Sequence, residues 1–107
     1  MDTLEKSMYI ITLFDVYQGL LTDKQRVYMT DYYYDDLSLQ EIAENHQVSR
    51  NAVYDQINKT VHKLETYESV LKLCEKQVKQ KQIFEKLDKM ELPKEVRKLI
   101  EALKKVE

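Results

Sequence analysis

Residues Leu37–Leu64 read LSLQEIAENHQVSRNAVYDQINKTVHKL, and the reading of this stretch decides the fold. Ser38 is placed to cap a helix, and Glu41, three positions on, can return a bond to the cap, completing a capping box. Leu37 before the cap and Ile42 after it can close a hydrophobic staple over the same helix end. Ser49 restarts the pattern as a second N-cap, with Val48 and Val53 as its staple. Asn45-His46-Gln47 lies between them, too short for anything but a turn. Ile42, Ala43, Val48, Val53 and Ile57 fall on inner faces, with small Ala43 where two helices approach most closely. Two capped helices at this spacing are a helix-turn-helix signature. The second, opening Arg50-Asn51-Ala52-Val53-Tyr54-Asp55-Gln56-Ile57, is then the recognition helix.

Working outward, the only glycine in 107 residues is Gly19 and the only proline is Pro93. Turn-rich β architectures need more of both, so the expected fold is all-α. The length supports one modest core. The expected architecture is a four-helix, winged-helix-like helix-turn-helix core with a C-terminal helical extension. The helix-turn-helix domain is placed at residues 1–66 and the extension, read as an oligomerisation segment, at 67–107. Abundant charge with an ordinary apolar fraction fits a soluble, folded chain. No apolar run is long enough to cross a membrane. The opening MDTLEKSMYIITLF lacks a basic segment and a small-residue cleavage site, so it does not read as a signal peptide. The single cysteine, Cys74, excludes an internal disulfide and suits a reducing cytoplasm, the expected location.

In chain order, the first helix is predicted over Leu4 to Gln18, with Gly19 as a left-handed cap. Its apolar stripe reads Leu4, Met8, Ile11 and Val16, with Tyr9, Leu13 and Phe14 alongside. Thr22 and Gln25 form another capping box for a second helix whose inner face carries Tyr28, Met29, Tyr32 and Tyr33. Beyond Ile57 the periodic pattern continues through Val61, Leu64, Leu71, Cys74 and Val78 with no breaker before Leu92-Pro93. The fourth helix therefore runs long or bends near Thr66 to Ser69. Lys72–Lys89 is rich in lysine and glutamine, with Ile83, Phe84 and Leu87 as its apolar side. Pro93 suits the first turn of a last helix holding Val96, Leu99, Ile100 and Leu103.

The charge is unevenly divided. Up to Thr66 the chain holds 6 Lys/Arg against 11 Asp/Glu, and from Tyr67 onward 11 against 8. The acidic half contains the helix-turn-helix, which argues against tight unaided binding to phosphates. No glycine-rich phosphate loop, no Cys/His pair at metal spacing and no nucleophile motif occurs, so no catalytic residue, cofactor or metal is expected. His46 and His62 read as turn or surface residues, Cys74 as a small buried hydrophobe, and Asp35-Asp36 as solvated carboxylates.

The run LLTDKQRVYMTDYYYDDLSLQEIAENHQVSRNAVYDQINKT resembles the YlxM family of bacterial helix-turn-helix proteins. The likeness is close from Tyr9 through Leu73. Its most specific pieces are Leu21-Thr22-Asp23-Lys24-Gln25-Arg26, Asp36-Leu37-Ser38-Leu39 and Val48-Ser49-Arg50-Asn51-Ala52-Val53-Tyr54-Asp55. The same stretch is similar, more distantly, to sigma region four, which reads promoter DNA. His46-Gln47 departs from the aromatic-acidic pair expected in the turn. The resemblance implies an intracellular bacterial protein whose gene neighbours those of the signal recognition particle, with a regulatory role or one in that particle's pathway.

Two readings of function follow. In the first the chain is a DNA-binding regulator. Arg50, Asn51, Tyr54, Asn58 and Lys59 then form the outer face of the recognition helix, because they avoid the Val53–Ile57 stripe. Arg50 meets a guanine edge or a phosphate, and Asn51 pairs with adenine. Lys59 and Lys63 touch phosphates, while Thr22, Ser38 and Ser49 offer hydroxyls or helix-end amides. In the second the chain is a non-catalytic adaptor that binds a protein or RNA of the signal recognition particle, through its acidic face or its lysine-rich segment. A plain solvated helix face is the alternative for these residues. The apolar stripes beyond Tyr67 are too many for a small core to cover, which predicts a homodimer.

Overall fold

The computed structural model describes residues 3–106, and among these every regular element is helical. Two compact units divide the chain, Met1–Cys74 and Glu75–Glu107. In the first, Thr3 accepts the Lys6 N–H at 3.2 Å and opens α1, Leu4–Tyr17. The face of α1 that enters the core is Ile10, Leu13, Phe14 and Tyr17, at three- and four-residue steps. Of the predicted stripe, Leu13 and Phe14 are buried, but Leu4, Met8 and Tyr9 are exposed, because their side of the helix is turned well away from the packed one. Nor does Gly19 form a left-handed cap, since no glycine has positive φ. Instead α1 tightens into a 3₁₀ turn at Gln18–Leu20, and a side chain at Gly19 would meet nothing within 4 Å.

Helix α2, Asp23–Met29, starts at the expected Thr22–Gln25 capping box. Arg26 fastens this corner by donating to the carbonyls of Gln18 at 3.2 Å and Leu21 at 2.7 Å. Tyr28 and Met29 are buried, while Tyr32 and Tyr33 pack against the core from a half-buried position, their rings edge-on at 4.9 Å. The chain widens there into a π turn, Thr30–Tyr34, closed by the Asp35 N–H on the Thr30 carbonyl at 3.0 Å.

Helix α3, Leu39–His46, and helix α4, Arg50–Leu71, are the predicted pair. Ser38 accepts the Glu41 N–H at 3.1 Å while the Glu41 carboxylate accepts the Ser38 N–H at 3.0 Å. Ser49 accepts the Ala52 N–H at 3.0 Å. The turn closes with Val48 N–H on the Ala43 carbonyl and Gln47 N–H on the Glu44 carbonyl, a Schellman arrangement. Gln47 takes the left-handed position usually given to glycine (φ 56°). Ile42, Ala43, Val53 and Ile57 are buried as expected. Val48 is not: it is 36% exposed, at the position that follows left-handed Gln47.

Helix α4 continues past Thr66 to Leu71 and buries Val61 and Leu64. It stops at Lys72, which is left-handed (φ 55°), and α5, Leu73–Asp88, starts at once. Tyr17, 1% exposed, fixes this break: its hydroxyl donates to Glu68 Oε1 at 2.6 Å and accepts the Leu73 N–H at 3.1 Å. Glu68 Oε1 also accepts the Cys74 N–H at 3.0 Å. Cys74 is buried, as the sequence predicts, whereas Leu71 and Val78 of the same stripe are exposed.

In the second unit, the rest of α5 is followed by α6, Lys94–Lys104, with Pro93 at the cap position. Lys104 joins the two, donating to Asp88 at 2.9 Å and Glu101 at 3.2 Å, with its ammonium 5.7 Å from the Phe84 ring centroid. Phe84, Leu87 and Ile100 are half-buried, while Val78, Ile83, Val96, Leu99 and Leu103 are exposed. Among the described residues of this unit no side chain is fully buried.

Candidate nucleic-acid interface

The inner side of α4 is fixed by Val53, Ile57, Thr60 and Leu64, all buried in the core, with the Thr60 hydroxyl returned to the Gln56 carbonyl at 2.7 Å. That leaves two rows facing out. Arg50, Tyr54 and Asn58, four residues apart, form one; Asn51, Asp55 and Lys59 form the next. All six are exposed. The row of Asn51 inclines round the helix as it advances. By Lys63 it has left the open face: Lys63 is partly buried, with Nζ 3.5 Å from Gln25 Oε1 and 5.9 Å from the Tyr67 ring centroid. Arg50, Asn51, Tyr54 and Asn58 are therefore brought together, Lys59 continues beside them, and Lys63 stands apart with α2.

The helix ends differ in sign. Helices α1, α2 and α3 each carry an acid in the first turn, Glu5, Asp23 and Glu41, against the positive end of the backbone dipole. Helix α4 carries none there and opens with Arg50. At Ser38 the Glu41 carboxylate already takes the cap N–H, and that bond holds its pKa below the ordinary value. An anion approaching Ser38 meets a resident negative charge; one approaching Ser49 does not. Asp55, between Asn51 and Lys59, is the acid on the open face.

Around the turn, His46 Nε2 lies 3.1 Å from Asp31 Oδ2 and its ring 4.9 Å from that of Tyr28. The two rings are tilted by 59°, so His46 is held between Asp31 and Tyr28. Asp35 and Asp36 are exposed. Tyr17, Glu68 and Lys72 were not singled out from the sequence. Lys72 is not a glycine and the apolar pattern runs through it, so only the seven-residue step from Ile10 to Tyr17 hinted at that cluster.

An all-helical chain with two capped helices joined by a tight turn, and a third packed beneath them, defines a helix-turn-helix protein. The chain belongs to the UPF0122 family, whose model, described as "Putative helix-turn-helix protein, YlxM / p13 like", matches residues 4–106. It is 51% identical over 106 residues to a UPF0122 protein of Bacillus licheniformis, covering 98% of this chain and 99% of the relative. To the UPF0122 protein YlxM of Bacillus subtilis it is 48% identical over 109 residues, with 98% and 99% covered. A UPF0122 protein of Geobacillus kaustophilus is 55% identical over 84 residues, 78% of this chain and 76% of the relative.

Proposed function

We propose that the protein is a non-catalytic, cytoplasmic DNA-binding regulator that takes part in the signal recognition particle pathway. The observation that carries the reading is the open end of α4, which lacks the acid found at the start of α1, α2 and α3 and presents Arg50 and Asn51. In the major groove Arg50 suits guanine and Asn51 adenine, with Tyr54 and Asn58 one and two turns further along. Lys59 neutralises a phosphate, and Ser49, with Ser38 in a lesser role, offers a hydroxyl to the backbone, while Lys63, turned toward Gln25, takes no part. The exposed apolar residues of α5 and α6 support a homodimer, which supplies two recognition helices to two half-sites.

A second reading rests on Asp55 and on the acidic balance of the first 66 residues, which favour a basic protein surface over a phosphate backbone. Here the chain is an adaptor for a protein of the signal recognition particle through the acidic face, or for its RNA through the lysine-rich segment Lys72–Lys89. Gel shifts with generic duplex DNA at two salt concentrations, run beside the particle's RNA–protein complex, separate the two. A salt-dependent shift of the duplex supports the regulator. A complex with the particle alone, and no duplex shift at low salt, replaces it with the adaptor.

A further inference from the structure

Helices α4 and α5 are parted by one residue, Lys72, in the left-handed conformation (φ 55°, ψ 32°). Nothing local requires the break. Val70-Leu71-Lys72-Leu73 contains no glycine or proline, its leucines and lysine are good helix formers, and all four residues are exposed. The break is held from outside by Tyr17 and Glu68, which take the N–H groups of Leu73 and Cys74. In an uninterrupted helix the carbonyls of Ser69 and Val70 would accept those same two groups. One pair of donors thus has two complete sets of acceptors. The bent set also buries Cys74, with Sγ 3.9 Å from the Thr12 carbonyl.

We propose that the α4–α5 junction is a two-position latch: the bent form described here, and a straight form in which α4 runs into α5 as one helix and Cys74 leaves the core. Tyr17 and Glu68 are the catch, and Lys72 is the residue whose conformation changes.

The reporter is Cys74 in the full chain, through its rate of reaction with a chromogenic aromatic disulfide at fixed pH in increasing sub-denaturing urea. In the straight form the thiol is open to reagent. Lys72→Gly favours the left-handed residue and disfavours the continuous helix, so it is expected to slow the reaction about tenfold. Tyr17→Phe keeps the ring in the core, removes the acceptor of the Leu73 N–H and is expected to speed it about tenfold. For the parent chain the rate is expected to depend on urea much less steeply than global unfolding, since little surface is exposed. A parent rate as steep in urea as global unfolding overturns the latch. So does a Lys72→Gly rate equal to or above the parent's, whatever Tyr17→Phe does.

Discussion

Ile57 shows how much a single side chain on α4 decides. It is 1% exposed, between Val53 and Leu64 on the face that meets α3. Ile57→Ala is expected to cost roughly 2–5 kcal/mol, read as a lowered midpoint of thermal unfolding; an unchanged midpoint would place this face wrongly. Gln47 offers the opposite sign. It holds a left-handed position without being glycine, so Gln47→Gly is expected to raise stability by about 1 kcal/mol in urea unfolding. Tyr17 sets a pH dependence. Burial, first, and the bond to Glu68 push its hydroxyl up to about 12 from an ordinary 10.0, and burial pushes the Cys74 thiol up to about 11 from 9.0. Both groups hold their protons longer folded than unfolded. Their contribution is complete below about pH 9 and is lost as pH rises through 11 to 12. Urea midpoints are expected to stay level as pH is raised to about 9 and then fall, with a shallower fall above pH 10 in Tyr17→Phe. At this scale Ser38, Glu41, Thr22, Gln25 and Ser49 were legible because a cap is a local bond between near neighbours. Gln47 and Lys72 were not, because neither residue type signals a positive φ: Gln47 sits in a local Schellman turn without being glycine, and the break at Lys72 is held by distant Tyr17.

Among the elements, α3 and α4 were readable to the residue at their starts, and so was the burial of Ile42, Ala43, Val53 and Ile57. The phase of α1 was not. A helix apolar on most sides gives no unique face, and the one used, Ile10, Leu13, Phe14 and Tyr17, is known only once α1 is packed on α4. The end of α4 was equally hidden, since its stop lies in Tyr17, far away in sequence. For the candidate interface, spacing alone grouped Arg50, Asn51, Tyr54 and Asn58. It could not show Lys63 turning toward Gln25. A difference between variants follows for duplex DNA binding. Arg50→Ala is expected to weaken binding and relax sequence preference, whereas Lys59→Ala lowers the salt slope by about 1 and leaves preference intact. Gel shifts of both variants at two salt concentrations measure this; equal affinity for parent and both variants removes α4 from the interface.

For the whole molecule, assembly is the property most open to measurement. Leu99 is 71% exposed and Leu103 57%, on a helix with no buried side chain. Sedimentation equilibrium at tens of micromolar is expected to return a dimer for the full chain and a monomer for a chain cut after Cys74, where the first unit closes. A monomeric full chain, or a cut chain that dimerises equally well, ends the homodimer reading. The wide turn at Thr30–Tyr34 has a further consequence, for chain length. It spans with five residues what a regular helical turn closes with four. A chain one residue shorter there can close the same gap as ordinary helix, and Ser38 and Ser49 would still start their helices, because each start is set by its own cap rather than by distance from α2. Single-residue gains and losses should therefore collect in this turn and spare the capped helices after it.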